Sequence, residues 1–336
     1  MYTLNSKIVC EYIWIGGKGE IRSKTRVITR TGGNNITEWN YDASSTEQAP
    51  SDGNTEGILK PVATFKNPLR SINGCDNMLV LCDTYDISGN PLKYNNRYNA
   101  KQIFDTKLED EPWFGLEQEY FILFNNDNIQ KKINETHNVF SHYCGQSYSN
   151  IERIIVEEHL KQCLNTGLNI SGLNAEVASQ QWEFQIGPCE GIRAADELII
   201  SRYLLERIAE KYNTTICFHP KLSEDGNGSG CHTNFSTKLM RETNGIKEIH
   251  NSIEKLTKSH NKHIAVYGSE NEKRLTGEYE TANYNNFSWG IGTRNTSVRI
   301  PTQVVKDGCG YFEDRRPAAN MDPYVVTSTI FETCCL

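Results

Sequence analysis

Alternating polar and apolar residues predict two β-strands near the middle of the chain. In QWEFQI (181–186), polar residues at the odd positions alternate with large apolar residues at the even positions. GLEQEYFIL (115–123) repeats the pattern, with Glu117 and Glu119 on one face. A period of two residues is typical of a strand with one polar and one apolar face. We therefore predict strands at 114–124 and 181–186 whose polar fronts carry carboxylates.

Other apolar patterns predict a mixture of strands and helices. Further strands are predicted within 8–30, around the turn at Gly16 and Gly17, and at 78–86, 214–220, 231–236 and 296–301. Apolar residues at helical spacing predict helices at 94–108, 150–166, 193–212 and around 246–256. Residues 38–75 are rich in Gly, Ser, Asn and Pro, so we expect mostly loop there. Because strands and helices do not alternate regularly, the fold class is α+β.

Composition narrows the function classes. The 336 residues carry a net charge of −7, which argues against a nucleic-acid-binding protein. No apolar run approaches the ~18 residues of a membrane span, and the first residues lack the basic and apolar regions of a secretion signal. The 11 cysteines are scattered and form no CxxC pair. We therefore expect a cytoplasmic protein with free thiols, and GGKGE (16–20) does not fit a P-loop.

Carboxylates on the predicted strand faces are the main chemical signal. Glu117 and Glu119 leave the same face, with about 6–7 Å between their Cα atoms. Glu183 lies on the front of another strand, and Glu176 precedes it by seven residues. Such a cluster is costly unless a positive group compensates it. Divalent Mg²⁺ and Mn²⁺ favour carboxylate oxygens and would resolve the conflict.

Two further motifs add candidate ligands. GSGCHTNFS (228–236) contains His232, and GYFEDRRP (310–317) contains Glu313 beside Arg315 and Arg316. Each motif alone has an ordinary interpretation: a solvated strand face for the paired glutamates, a hydrogen-bonded interior histidine, or a structural ion pair. Their occurrence together in one chain favours a metal site.

Six longer segments resemble eukaryotic-type glutamine synthetase. They are WNYDASST (39–46), PWFGLEQEY (112–120), NAEV with QWEFQIGPCEGI (174–192), GCHTNFSTK (230–238), RLTGEYET (274–281) and GYFEDRRPAANMDP (310–323). The resemblance is collinear and covers nearly the whole chain. It implies a small β-grasp-like domain at 1–90 and a catalytic domain at 91–336. In the latter, helices would flank a curved antiparallel sheet, a fold shared with guanidino kinases.

The resemblance implies two or three divalent ions, Mg²⁺ or Mn²⁺, in each site. Glu119, Glu176 and Glu183 would hold one ion. Glu117, His232 and Glu313 would hold the second, next to the nucleotide phosphates.

The reaction implied is the ATP-dependent ligation of ammonia to L-glutamate. The side-chain carboxylate of glutamate would attack the γ-phosphate of ATP, and ammonia would displace phosphate from γ-glutamyl phosphate to give glutamine. The implied glutamate-binding residues are Asn227, Gly228, His232, Arg294 and Arg315. The implied ATP-binding residues are Trp113, Glu117, Ser236, Arg241, Arg299 and Tyr311, with Arg241 and Arg299 facing the phosphates.

Three residues receive catalytic roles from the resemblance. Asp42 would deprotonate ammonium, Glu280 would belong to a flap that closes the site against water, and Arg299 would act on the phosphates. Ala43 stands where the family usually has glycine, so it would be strained if that position needs a positive φ. Tyr279 replaces a usual histidine before the flap acid.

The resemblance also implies a homo-oligomer, a decamer of two pentameric rings whose sites are shared by adjacent subunits. Two alternatives stay open at this point. One is a structural or regulatory relative that has lost catalysis. The other is an ATP-dependent ligase or guanidino kinase that uses an amine larger than ammonia.

Overall fold

A computed structural model describes residues 7–30, 36–49, 53–72, 74–125, 142–145, 150–223 and 226–336. These residues form two compact units, 1–102 with 162–168 and 103–161 with 169–336. Among the described residues, no helix combines the length and the apolar character needed to cross a membrane.

The first unit is built on a mixed sheet. Its described strands are β1 (Lys7–Ile15), β2 (Ile21–Thr29), β3 (Trp39–Asp42), β4 (Glu56–Lys66) and β5 (Cys75–Tyr85), in the spatial order β2-β1-β5-β4-β3. Strands β1 and β5 are parallel, and the other neighbours are antiparallel. One face of the sheet carries a cluster that includes Tyr12, Leu59 and Val80, all fully buried. This arrangement fits the predicted β-grasp-like domain.

The prediction that 38–75 is mostly loop missed two strands, β3 and the eleven-residue β4. Pro61 weakens the sequence signal for β4, since proline cannot donate to a sheet. The structure accommodates Pro61 with a register shift: it pairs with Cys82, whereas Ala63 pairs with Leu81. Val62 is therefore an extra residue of the kind found in a β-bulge.

The second unit contains a larger, mostly antiparallel sheet. Its described strands are β6 (Trp113–Phe124), β7 (Ile170–Ala175), β8 (Gln181–Glu190), β9 (Thr214–Cys217), β10 (Cys231–Ser236), β11 (Trp289–Ile291), β12 (Val298–Ile300) and β13 (Phe312–Asp314). The spatial order is β11-β12-β13-β10-β6-β8-β7, and β9 also pairs with β6. Only the β11–β12 pair is parallel among the described pairings of this sheet.

The described helices draw on residues of both units. They are α1 (Asn96–Phe104), α2 (Asn150–Thr166), α3 (Arg193–Lys211), α4 (Lys238–Arg241), α5 (Ile246–Lys258), α6 (His260–Ile264), α7 (Thr302–Asp307) and α8 (Pro323–Cys335). Helix α3 packs against β6, β8 and β9. The apolar back of β8, formed by Trp182, Phe184 and Ile186, is fully buried. Burying this face leaves the opposite face of the sheet for the polar residues.

Helix α1 is shorter than the predicted segment 94–108. Asn95 explains the later start, because its Oδ1 accepts a hydrogen bond from the Tyr98 backbone NH (3.3 Å), while its Nδ2 donates to the Thr84 carbonyl (2.9 Å). A side-chain acceptor before the first turn is a typical helix N-cap. Helix α8 was not predicted, although Asp322 caps it and Pro323 occupies its first turn, which is a recognisable start signal.

Candidate active site

Four strands, β6, β8, β10 and β13, place candidate ligands on the polar face of the second sheet. Glu117 and Glu119 lie on β6, and Gln118 between them points to the buried side. Across the ladder, Glu183 on β8 is opposite Glu119, and His232 on β10 is opposite Glu117. The alternation in the sequence therefore has the predicted result: a polar front and an apolar back.

The first candidate metal group consists of Glu119, Glu176 and Glu183. One carboxylate oxygen from each lies within 4.8 Å of the others. Glu176 follows β7, and its backbone NH donates to the Gln181 carbonyl (2.9 Å), so a short turn brings it to the end of β8. Glu119 Oε2 also accepts a hydrogen bond from the Gly230 NH (2.6 Å).

The electrostatics of this group favour a cation. Burial, followed by the charge of Glu176, raises the pKa of Glu119. Burial raises the pKa of Glu183 as well, and the charges of Glu117, Glu119 and Glu176 raise it further. Three converging carboxylates that resist ionisation, first because they are buried and then because of neighbouring negative charge, form a suitable oxygen ligand set for a hard divalent ion.

The second candidate group differs in part from the expected set. Glu117, Glu183 and His232 place ligand atoms within 4.8 Å of one another. Glu313 lies 3.5 Å from His232 Nδ1, but its carboxylate is engaged by Arg299 Nη1 (3.2 Å) and Arg315 Nη1 (2.6 Å). Glu183 thus belongs to both groups, which the resemblance did not indicate.

His232 is suited to ligation because its imidazole is held neutral. Burial, assisted by the positive charge of Arg315, lowers the pKa of His232 well below its ordinary value. A neutral ring nitrogen keeps the lone pair that a metal ion requires.

An acidic cavity of about 150 Å³ joins both groups. The sequence-predicted residues that line it are Glu117, Glu119, Glu176, Glu183, Asn227, Gly228, His232, Glu280, Arg294, Arg299, Glu313 and Arg315. All of them belong to the second unit. Gln181 was not predicted as a site residue. It connects strand β8 to the loop at 227–228, because its Nε2 donates to the Gly228 carbonyl (3.0 Å).

A second, mostly apolar cavity of about 450 Å³ collects most of the predicted nucleotide-binding residues. Trp113, Glu117, Ser236, Arg241 and Tyr311 line it. The Arg241 guanidinium lies 3.9 Å from the centre of the Trp113 ring, and its Nη1 donates to Ser236 Oγ (3.0 Å). Arg241 therefore stacks on an aromatic side chain, whereas Arg299 faces the acidic cavity. Glu117 lines both cavities.

Arg315 is held by its neighbours through all three guanidinium nitrogens. Besides the Glu313 contact, its Nε donates to the Arg294 carbonyl (3.0 Å) and its Nη2 to the Glu280 carbonyl (3.3 Å). The half-exposed side chains of Arg294 and Glu280 approach to 3.4 Å. Tyr279 and Glu280 both have positive φ angles, 50° and 62°, so the predicted flap acid sits in a left-handed turn that non-glycine residues rarely adopt.

Arg274 is a cavity residue that sequence reasoning missed. It is 3% exposed and donates to the carbonyls of Arg315, Arg316 and Pro317 (3.0, 2.7 and 3.0 Å). Burial lowers its pKa to about 10, although the nearby charge of Glu119 opposes that shift. Its position in RLTGEYET, six residues before Glu280, was the available signal.

Asp42 belongs to the first unit and is described there alone. It ends β3, is exposed, and accepts hydrogen bonds from Ser44 N (3.0 Å), Ser44 Oγ (2.5 Å) and Ser45 Oγ (2.6 Å). Those hydrogen bonds lower its pKa. Ala43 has a φ of −70°, so alanine in place of glycine causes no strain in this conformation.

Comparisons with known proteins agree over nearly the whole chain. Residues 94–335 match the family described as glutamine synthetase, catalytic domain. Glutamine synthetase of Candida glabrata is 47% identical over 98% of this chain and 90% of that protein. A putative glutamine synthetase of Acanthamoeba polyphaga mimivirus is 50% identical over 97% of this chain and 94% of that protein. A cryo-EM structure of Plasmodium falciparum glutamine synthetase shares the fold, with a TM-score of 0.79 and 18% identity, over 99% of this chain and 72% of that chain.

Proposed function

The chain belongs to the glutamine synthetase family and makes glutamine from glutamate and ammonia, and we propose that ATP drives this reaction through γ-glutamyl phosphate. Family membership implies the use of ATP and of divalent metal ions. The observation that supports the location of the reaction is the position of Glu117, which lines both the acidic and the apolar cavity. A nucleotide with its base in the apolar cavity would direct its phosphates toward the acidic one.

The acidic cavity fits Mg²⁺ or Mn²⁺, two or three ions per site. Glu119, Glu176 and Glu183 would hold one ion, because their oxygens converge and their ionisation is suppressed when no cation is present. Glu117 and His232 would hold a second, with Glu183 or Glu313 as the further ligand. When bound, such ions neutralise phosphate charge and align the transferred group.

Residues of the apolar cavity would hold ATP. Trp113 and Tyr311 provide aromatic surface for the base, and Ser236 provides a hydroxyl. Arg241 stacks on Trp113 in the described structure, so its assignment to the phosphates requires a rotation of its side chain. Arg299 faces the acidic cavity beside Glu313, where a guanidinium can stabilise charge on the transferred phosphoryl group.

Glutamate would bind between the arginines and the loop at 227–228. A planar guanidinium can form paired hydrogen bonds with a carboxylate, a role we assign to Arg294 and Arg315. Asn227, Gly228 and His232 complete the glutamate-binding set. This placement would direct the side-chain carboxylate of glutamate toward the ions and the γ-phosphate.

Ammonium must lose a proton before it can attack the acyl phosphate. We propose that Asp42 accepts this proton: its ionised carboxylate attracts ammonium, although the hydrogen bonds from Ser44 and Ser45 that lower its pKa also weaken it as a base. Glu280, on its left-handed turn beside Arg294, would close the cavity against water. Excluding water protects the acyl phosphate from hydrolysis.

The assembly and location are also part of the proposal. We propose a homodecamer of two pentameric rings, with the domain at 1–90 completing the site in the 91–336 domain of an adjacent subunit. All 11 cysteines are free thiols, which supports a location in the reducing cytoplasm.

A coupled assay for phosphate release tests the proposed function. We expect release that requires ATP, glutamate, ammonium and a divalent ion, with glutamine as the product. Sustained release with glutamate omitted would contradict the proposal. Release that continues when a larger amine replaces ammonium, with no activity on ammonium itself, would instead favour a different ligase.

A further inference from the structure

One completely buried carboxylate, that of Glu152, lies outside the lining of the acidic cavity. Glu152 is in the first turn of α2, and its side chain is completely buried. Its Oε2 accepts a hydrogen bond from Trp182 Nε1 at 3.0 Å. Its other oxygen, Oε1, has no hydrogen-bond partner within the described part of the chain. Because burying a carboxylate is costly, the contacts that it makes need an explanation.

The second contact of Glu152 is with His142, which is also completely buried. His142 Nε2 lies 3.8 Å from Glu152 Oε2. The other ring nitrogen, Nδ1, lies 2.6 Å from the carbonyl oxygen of Glu176. A carbonyl oxygen only accepts hydrogen bonds, so Nδ1 must carry the hydrogen. The ring is therefore held to the backbone of Glu176 by a hydrogen bond, and its other nitrogen faces the Glu152 carboxylate at 3.8 Å, beyond hydrogen-bond distance.

These two contacts reach the two segments that must meet at the first metal group. Trp182 immediately precedes Glu183 on β8, and its ring packs edge-on against His142, with 5.9 Å between ring centres. The turn at 142–145 is also joined to the end of β7, because the Cys144 NH donates to the Ala175 carbonyl (3.0 Å). The position of Glu176 relative to Glu183 therefore depends on more than the sheet itself.

We propose that Glu152 is a positioning residue for the cation site formed by Glu119, Glu176 and Glu183. Through Trp182 it fixes the strand that carries Glu183, and through His142 it fixes the backbone of Glu176. Outer-shell partners of this kind orient metal ligands, and their loss typically costs about 10- to 100-fold in metal affinity. The inference rests on the metal site of the proposed function.

Direct Mn²⁺ binding tests this without any catalytic turnover. The free Mn²⁺ signal in electron paramagnetic resonance is titrated with metal-free protein, in the absence of substrates. For Glu152→Ala and for His142→Ala we expect the Mn²⁺ dissociation constant to rise about 10-fold or more. The dissociation constant of Glu152→Gln should rise less, because its amide oxygen can still accept a hydrogen bond from Trp182. The matched control is Glu157→Ala, which removes an exposed glutamate from the same helix and should bind Mn²⁺ normally.

A double variant, Glu152→Ala with His142→Ala, distinguishes a shared path from two separate effects. If Glu152 acts partly through His142, the fold-increase in the Mn²⁺ dissociation constant of the double variant should be smaller than the product of the fold-increases of the two single variants. Circular dichroism of each metal-free variant establishes that it is folded.

The possible outcomes distinguish a failure of the metal site from a failure of the positioning role of Glu152. A wild-type protein that does not bind Mn²⁺ contradicts the metal site and the inference together. Wild-type affinity in a folded Glu152→Ala protein contradicts the inference and leaves the proposed function intact. If Glu152→Ala does not fold, His142→Ala decides, because wild-type affinity in that variant removes the link to Glu176.

Discussion

Glu119 and Glu183 stand directly opposite each other on the neighbouring antiparallel strands β6 and β8. Side chains in such a pair have Cβ atoms about 4.5–5.5 Å apart, and like charges there destabilise the sheet. Both carboxyl groups are buried, and both pKa values are raised. The pair is therefore unfavourable in the metal-free protein and favourable around a cation, which makes metal binding and stability interdependent.

Glu183→Gln should separate stability from activity. The amide is nearly isosteric with the carboxylate and removes one of the opposed charges. We therefore expect the metal-free variant to unfold at a higher temperature than metal-free wild type. Glutamine synthesis should fall by more than about 100-fold, since even outer-shell changes cost 10- to 100-fold. Calorimetry in chelator and the phosphate-release assay measure the two effects.

Glu254→Gln, on the exposed side of α5, is the control for this prediction. An active Glu183→Gln enzyme at low Mg²⁺ would contradict the metal site.

The raised pKa values of Glu119 and Glu183 predict a pH dependence of the metal-free protein. A carboxyl group whose folded pKa lies above its ordinary value of 4.5 binds more protons in the folded state. Its contribution to the free energy of unfolding is complete below pH 4.5 and is lost as the pH rises through the raised values. We expect this loss to be smaller in Glu183→Gln. The measurement is the free energy of unfolding of wild type and of the variant, both in chelator, from about pH 5 to about pH 8.

The same groups predict proton release when a metal binds, because ligands must be deprotonated. Adding Mn²⁺ to metal-free protein in weak buffer near neutral pH should lower the pH, and Glu183→Gln should release fewer protons. Equal release from both proteins would show that Glu183 is already ionised without metal.

Sequence patterns predicted the face that carries the candidate ligands, and the reason is physical. From Phe114 to Tyr120 on β6 and from Gln181 to Ile186 on β8, side chains alternate between a polar front and a buried back, and helix α3 packs against both strands. That constraint is local and visible in the sequence. It placed Glu117 and Glu119 on one polar front and Glu183 on the polar front of another strand before any pairing was known.

Features that depend on distant segments were not visible in the sequence. Glu183 belongs to both candidate metal groups because of the register between β6 and β8. The approach of Arg274 to the acidic cavity depends on carbonyls some forty residues away. Strand β4 was missed because Pro61 interrupts it, and only the pairing with β5 shows how the bulge restores the ladder.

Arg315→Lys should act on glutamate more than on ATP. Lysine keeps the charge but not the fork that reaches Glu313 and the carbonyls of Arg294 and Glu280 at once. We expect the KM for glutamate to rise about 10-fold, equivalent to losing a charged hydrogen bond of about 1.5 kcal/mol, with a much smaller change for ATP. Arg207→Lys, on α3, is the control. Equal increases in both KM values would refute the assignment of Arg315 to glutamate.

Arg316→Met should destabilise the fold strongly. Arg316 and Asp314 are both completely buried, and their side chains are paired at 2.6 Å. Breaking such a pair leaves an uncompensated buried charge and typically costs about 3–5 kcal/mol. The double variant Arg316→Met with Asp314→Asn removes both charges and should recover part of the loss. Urea denaturation measures both proteins, and a single variant as stable as wild type would show that the pair is dispensable.

Mixed oligomers test whether Asp42 acts in an adjacent subunit. Asp42→Ala and Glu313→Ala proteins should each be nearly inactive, because every site lacks one residue. When the two are co-expressed, a site that takes Asp42 from one chain and Glu313 from the other is intact in about a quarter of random pairings. Activity is measured on mixed oligomers of confirmed size. No recovery would show that Asp42 acts within its own chain or has no role.

The alternation along β6 also limits how this protein can evolve. A substitution on the front of the strand changes one ligand and leaves the apolar back in place. An insertion or deletion of one residue between Phe114 and Glu119 would turn every later side chain to the other face, with Glu119 directed into the core and Tyr120 toward the acidic cavity. Lineages can therefore exchange side chains in this segment one at a time, whereas a change in its length would require a compensating β-bulge.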